Sequence, residues 1–149
     1  IAGGIARYHT VGDRARVIDA NGMTIISDCY NANPNSTSAA LDSLGQLKGR
    51  KICILGDMLE LGEETAELHR QVGRRAVTQG IDQIIACGTL SRNPYEGALA
   101  EGGNALYFAN KSALLAELPE LVRPGDRILV KASHSMAFEE IVRVLINEK

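Results

Sequence analysis

Tryptophan is absent from this chain, phenylalanine occurs only twice and tyrosine four times. So few rings argue against a stacking platform for single-stranded nucleic acid. Cationic excess is missing too: the net charge is -2 and the pI about 5.9, which leaves no basic face for a phosphate backbone. No apolar run approaches the ~20 residues of a membrane span. Cysteine is scarce and unpaired in pattern. Cys29, Cys53 and Cys87 contain no CxxC spacing, so buried reduced thiols in a cytosolic protein are expected. Together with His9, His69 and His134 they show no metal-ligand spacing, and no metal site is expected. There is no GxGxxG, no GxxxxGK[ST] and no G-x-S-x-G, so the chain carries neither a complete phosphate cradle nor a serine-nucleophile elbow.

What is present is length enough for one well-developed core, with 149 residues of which 45% are hydrophobic. Residues 1–10 begin without methionine and read as the remnant of a helix and an inter-domain linker, so a fragment of a longer protein is expected. Residues 14–20 and 23–28 read as strands joined by Asn21-Gly22. Asn-Gly between β segments signals an antiparallel hairpin, because both turn positions need positive φ. Beyond it the pattern alternates. Helices are expected after Pro34, over 63–79, 94–101, 110–121 and 135–148, and apolar strands over 51–55, 83–87, 105–108 and 127–131. Such alternation means a mostly parallel sheet covered on both faces, here with about six strands and one antiparallel hairpin strand at the N-terminal end.

The two ends of that sheet differ in chemistry. Helix-to-strand turns hold little beyond stop signals such as Gly80 and Pro124-Gly125. Strand-to-helix turns hold the polar residues: Asp28 to Ser36, Gly56 to Gly62, Gly88 to Asn93 and Ala132 to Ser135. Ligands of open α/β sheets bind outside the carboxyl ends of the strands, so the sequence puts its site chemistry where this fold binds ligands. Asp28-Cys29-Tyr30-Asn31-Ala32-Asn33-Pro34 carries far more hydrogen-bonding capacity than a turn needs, although Asx capping explains part of it. Asp57 is either a ligand contact or a cap. Ser133-His134-Ser135 suits an anion at a helix start, with Lys131 adding charge, and Ser135 also reads as a helix cap. His69, alone on a helix, reads as surface or core.

Three segments in order, Asp28-Cys29-Tyr30-Asn31-Ala32-Asn33-Pro34, Leu55-Gly56-Asp57-Met58-Leu59-Glu60-Leu61-Gly62 and Val130-Lys131-Ala132-Ser133-His134-Ser135-Met136, resemble the C-terminal domain of the Mur ligases, within them the member that adds D-alanyl-D-alanine. The resemblance covers residues 11–149 as that domain, with 1–10 left as linker. It implies a Rossmann-like three-layer fold and a role in peptidoglycan precursor synthesis in the cytoplasm. In such a ligase ATP and Mg²⁺ are bound mainly by a central domain, missing here, and a first domain, also missing, holds UDP-N-acetylmuramoyl-tripeptide. An acyl phosphate forms on that peptide, the amine of D-alanyl-D-alanine attacks it, and ADP and phosphate leave. The fragment alone is then expected to be inactive.

By the same resemblance Asp28 contacts the ATP ribose, and Arg14 reaches the phosphates as the domain closes, a cation arriving where charge develops. Both are expected to be removable with loss of ligation and without unfolding. Asn31, Asn33, Asp57, Ser133 and His134 fall on the dipeptide side. The chain departs from the common Lys-Gly-Ser-Arg at Lys131-Ala132-Ser133-His134, where histidine replaces a bidentate arginine. The sister ligase that adds a diamino acid carries arginine where Asn35 stands here. A stand-alone nucleotide-binding module is the other alternative.

Overall fold

A computed structural model describes residues 7–11, by backbone, and 15–146. Its sheet has seven strands: β1 (Arg7–Val11), β2 (Ala15–Ala20), β3 (Met23–Asp28), β4 (Lys51–Leu55), β5 (Gln83–Cys87), β6 (Ala105–Phe108) and β7 (Arg127–Lys131), in the order β1-β2-β3-β7-β4-β5-β6. Strands β1, β2 and β3 are antiparallel, and from β3 onward all pairs are parallel. The expected mostly parallel α/β sheet is present, with a correction at its start. Residues 7–11 are a strand and not the tail of a helix. Tyr8, Thr10 and Val11 are β-formers, and pairing with β2 fixes a run too short to hold a helix.

The turn Asn21-Gly22 has φ of 56° and 79°, as a type I′ hairpin demands. Asn21 adds a second function: its Nδ2 donates to the carbonyls of Leu145 and Ile146, both at 2.8 Å, and so closes the C-terminal end of the last helix.

Among the described residues five helices cover the sheet: α1 (Pro34–Gly45), α2 (Thr65–Thr78), α3 (Arg92–Ala100), α4 (Lys111–Leu121) and α5 (Glu139–Ile146). Alternation along the strands sorts the core into two layers. Cys53, Leu55, Ile84 and Leu129 pack with Leu41 and Leu44 of α1, Val72 and Ala76 of α2 and Ala98 of α3. Ile52, Ile54, Ile85, Ile128 and Val130 pack on the opposite face with Leu114 and Leu118 of α4 and Ile141, Val142 and Leu145 of α5. The central strands are buried on both sides and therefore read as unbroken apolar runs.

This sorting locates the topological switch. Strands β3 and β4 are followed by helices on one face, and β7, which lies between them, is followed by α5 on the other. The crevice of a doubly wound sheet opens where neighbouring connections part in this way. Its rim consists of residues 28–33, 56–62 and 132–138. The last helix begins later than expected. Residues 134–136 form a 3-10 turn, and Ala137, at φ 55° and ψ 43°, is left-handed and breaks the run before Glu139. Lys111 Nζ holds the Ala137 carbonyl at 3.1 Å, which helps retain this unfavourable conformation.

The cysteines are buried among apolar side chains. Burial pushes the thiols of Cys29 and Cys87 up to about 11 and that of Cys53 to about 12. At pH 8 the folded chain is expected to resist Ellman's reagent at all three positions and to react at all three in 6 M guanidinium; modification without denaturant refutes the packing. A raised thiol value favours the protonated folded form. Stability from this source is thus complete below the ordinary value near 9.0 and declines as pH climbs towards 11. Cys53→Ala is expected to flatten that decline in thermal melts, as read by the difference from the parent between pH 9 and 11.

Candidate active-site crevice

The crevice is built on one ion pair. Asp28 ends β3, Lys131 ends β7, and the two are direct partners in the parallel register. Alternation turns both towards the α1 side of the sheet. There Lys131 Nζ donates to Asp28 Oδ2 at 2.8 Å and to the Asn31 carbonyl at 3.0 Å. The lysine side chain is 1% exposed and the aspartate 18%. The lysine is therefore not an anion site, as its place in the sequence suggested: its charge is spent on Asp28 and on fixing the 28–33 turn. The aspartate still faces solvent at the rim.

The turn runs on into α1 through a capping box. Asn33 Oδ1 accepts from Ser36 N at 2.8 Å, Ser36 Oγ accepts from Asn33 N at 3.2 Å, and Pro34 occupies the first helical turn, where no N–H is needed. Asn33 is thus committed to capping by its side-chain oxygen. Asn31 and Tyr30 stand outward and exposed, and the Tyr30 ring lies 5.0 Å from that of His134 at an interplanar angle of 44°.

From the other flank, the 56–60 loop is laced to β7 and its turn. Gly56 N donates to the Lys131 carbonyl at 2.9 Å, Ser133 N to the Asp57 carbonyl at 3.1 Å, and Leu59 N to Ser133 Oγ at 2.9 Å. Gly56 is required for this approach, since a Cβ there would sit 2.6 Å from both Ala132 Cβ and Phe138 Cζ. Asp57 turns away from the rim. It is buried, and its Oδ1 accepts from Leu90 N at 3.0 Å and Ser91 Oγ at 2.7 Å, which ties the β4 and β5 loops together. His69 is a core residue with both nitrogens engaged. Nε2 accepts from Met58 N at 2.9 Å, so Nδ1 carries the proton and donates to the Thr65 carbonyl at 2.7 Å.

The structure brings Asp28, Asn31, Ser133 and His134 together on one rim. It gives Asp57 and Asn33 internal partners, and Arg14 lies outside the described residues. The start of β2 is at the same edge, because Arg16 pairs with Ser27. The His134 imidazole, exposed, is 3.9 Å from Glu139. Sequence reasoning missed the Asp28–Lys131 pair, the Asp57–Ser91 bond and the Tyr30–His134 contact. A lysine closing an apolar parallel strand was the one usable signal. Among the described residues no group of three His, Cys, Asp or Glu side chains is placed to hold a metal ion.

Residues 13–134 match the Mur ligase, glutamate ligase domain. The chain belongs to the Mur ligase family. Its relatives include the UDP-N-acetylmuramoyl-tripeptide–D-alanyl-D-alanine ligase of Bacillus subtilis, 37% identical over 150 residues, with 97% of this chain and 33% of that protein covered. Among solved structures, MurF from Acinetobacter baumannii superposes with a TM-score of 0.81 at 29% identity, over 89% of this chain and 30% of that one. MurF from Thermotoga maritima in complex with ADP gives 0.71 at 26% identity, again over 89% and 30%. This Mur ligase chain thus spans about a third of the relatives it matches, and a Rossmann-like domain of that family is what its seven strands form.

Proposed function

We propose that this chain is the domain of an ATP-dependent, amide-bond-forming ligase that receives D-alanyl-D-alanine and closes over a nucleotide held by the rest of the protein. The ligase adds the dipeptide to UDP-N-acetylmuramoyl-tripeptide in cytoplasmic peptidoglycan precursor synthesis. The observation that carries this reading is the convergence of Asp28, Asn31, Ser133 and His134 at the switch point of a chain aligned over nearly its whole length with ligases of that name.

Asp28, anchored by Lys131 and still partly exposed, is suited to accept hydrogen bonds from the two ribose hydroxyls. Arg14 supplies a cation for the phosphates on closure. ATP brings the phosphoryl group that activates the peptide carboxylate, and Mg²⁺ is held mainly by the central domain. Asn31 and Ser133 offer donors and acceptors to a zwitterionic dipeptide, and His134 faces its carboxylate. Asp57 acts on the dipeptide only through the loop it fixes, and Asn33 through the turn it caps.

The test is ADP release by the full-length ligase with UDP-N-acetylmuramoyl-tripeptide, ATP and D-alanyl-D-alanine, against single amino acids and a diamino acid. Turnover with a diamino acid and none with the dipeptide overturns the substrate assignment. His134→Ala is expected to raise KM for the dipeptide about tenfold, the worth of one charge-assisted hydrogen bond, and His134→Arg to lower it. Unchanged KM in both removes His134 from the site. The 149-residue chain alone is expected to show no ATP binding by calorimetry, and micromolar affinity contradicts the division of labour.

A further inference from the structure

A lysine with 1% of its side chain exposed, at the C-terminal end of a central strand, needs a reason to be there. Burying an ammonium is expensive, and a hydrophobic replacement of a buried ion pair is often neutral or stabilising. Residues 128–130 on the same strand are apolar and wholly buried, so the strand itself has no need of a charge at its end. The lysine reaches across to β3 and satisfies two groups on a single turn, the Asp28 carboxylate and the Asn31 carbonyl. One contact sets where the carboxylate points. The other fixes the backbone three residues on, and with it the turn on which Asp28 is presented. Both are charge-assisted and short, the kind that hold a side chain to one rotamer.

We infer that Lys131 is the positioning residue for nucleotide recognition: it clamps one oxygen of Asp28 so that the carboxylate presents a fixed acceptor edge to the ribose hydroxyls. The inference rests on the proposed contact between Asp28 and ribose, and it assigns the geometry of that contact to a residue that touches no ligand. Without the clamp, Asp28 is free to rotate and to take water in place of the sugar, and a preorganised acceptor becomes an ordinary surface carboxylate.

The readout is discrimination between sugars. In the full-length ligase, kcat/KM for ATP is compared with that for 2′-deoxy-ATP and 3′-deoxy-ATP, with tripeptide and dipeptide saturating. The parent enzyme is expected to prefer ATP by about tenfold or more over at least one analogue, since a hydrogen bond to a charged group is lost. Lys131→Met is expected to bring that ratio to about two, because the rate with ATP falls further than the rates with the analogues. A lysine that merely stabilised the fold would lower all three nucleotides together and leave the ratio intact, and that result overturns the inference. A parent enzyme indifferent to the ribose hydroxyls overturns the Asp28 contact and the inference with it. Absence of dipeptide-dependent ADP release from the parent overturns the proposed function instead. Lys131→Leu, smaller and likewise without a donor, reads the same ratio if the methionine variant does not fold.

Discussion

Asp28→Ala is expected to destabilise the domain by about 3 kcal/mol, because it leaves the buried Lys131 ammonium without its carboxylate. The range for breaking a buried pair is roughly 3–5 kcal/mol. The lower end applies here, since the Asn31 carbonyl still accepts from the lysine and the aspartate side was partly solvated. In a domain of this size that is roughly 6–12 °C of melting temperature. The variant is thus expected to remain folded, as a domain with a stability of about 5–15 kcal/mol allows, but with a reduced margin. Loss of ligation in Asp28→Ala alone mixes a missing ligand contact with a loosened crevice. The double substitution Asp28→Ala with Lys131→Met separates them. Removing both charges is expected to recover most of the lost stability while ligation stays low. Urea unfolding of the four species in a double-mutant cycle measures this. Equal instability in the single Asp28→Ala variant and the double variant would mean that the orphaned ammonium is not the cause.

That pair also shows where sequence reading stops. The alternation of apolar strands with amphipathic helices depends on neighbours in the chain. The parallel sheet, the Asn21-Gly22 hairpin and the concentration of polar residues at the carboxyl ends of the strands were therefore legible. Asp28 and Lys131 are 103 positions apart, and their contact depends on β7 inserting between β3 and β4. Nothing local encodes that insertion, because β7 follows β6 in sequence and reaches its place by a crossover from the far edge of the sheet. The same limit applies to Asp57, whose buried partner Ser91 is on another loop, and to β1, whose short run is a strand only because β2 offers it an edge. The capping role of Asn33 was visible locally, since a polar residue before Pro34 with Ser36 three positions on is a helix start in its own right.

Gly73→Ala is expected to cost about 3 kcal/mol, against a helix-propensity gain of about 1 kcal/mol that alanine ordinarily brings over glycine. Helices α2 and α3 meet backbone to backbone. A Cβ at Gly73 would overlap the Pro94 carbonyl, and one at Gly97 would overlap the carbonyl of Arg70. Each glycine faces the main chain of the other helix, so no side-chain rotamer relieves the clash and the helices must separate. The consequence reaches the crevice. Ser91, the residue before α3, donates to Asp57, whose own carbonyl accepts from Ser133 N. Moving α3 outward pulls on that chain of contacts, so in the full-length ligase the variant is expected to raise KM for the dipeptide as well as lower the melting temperature. Gly97→Ala is expected to act alike. Because either change opens the same interface, the double variant should lose less than the sum of the two. A Gly73→Ala chain as stable as the parent, or strictly additive losses, would show that the spacing of α2 and α3 is not set by this contact.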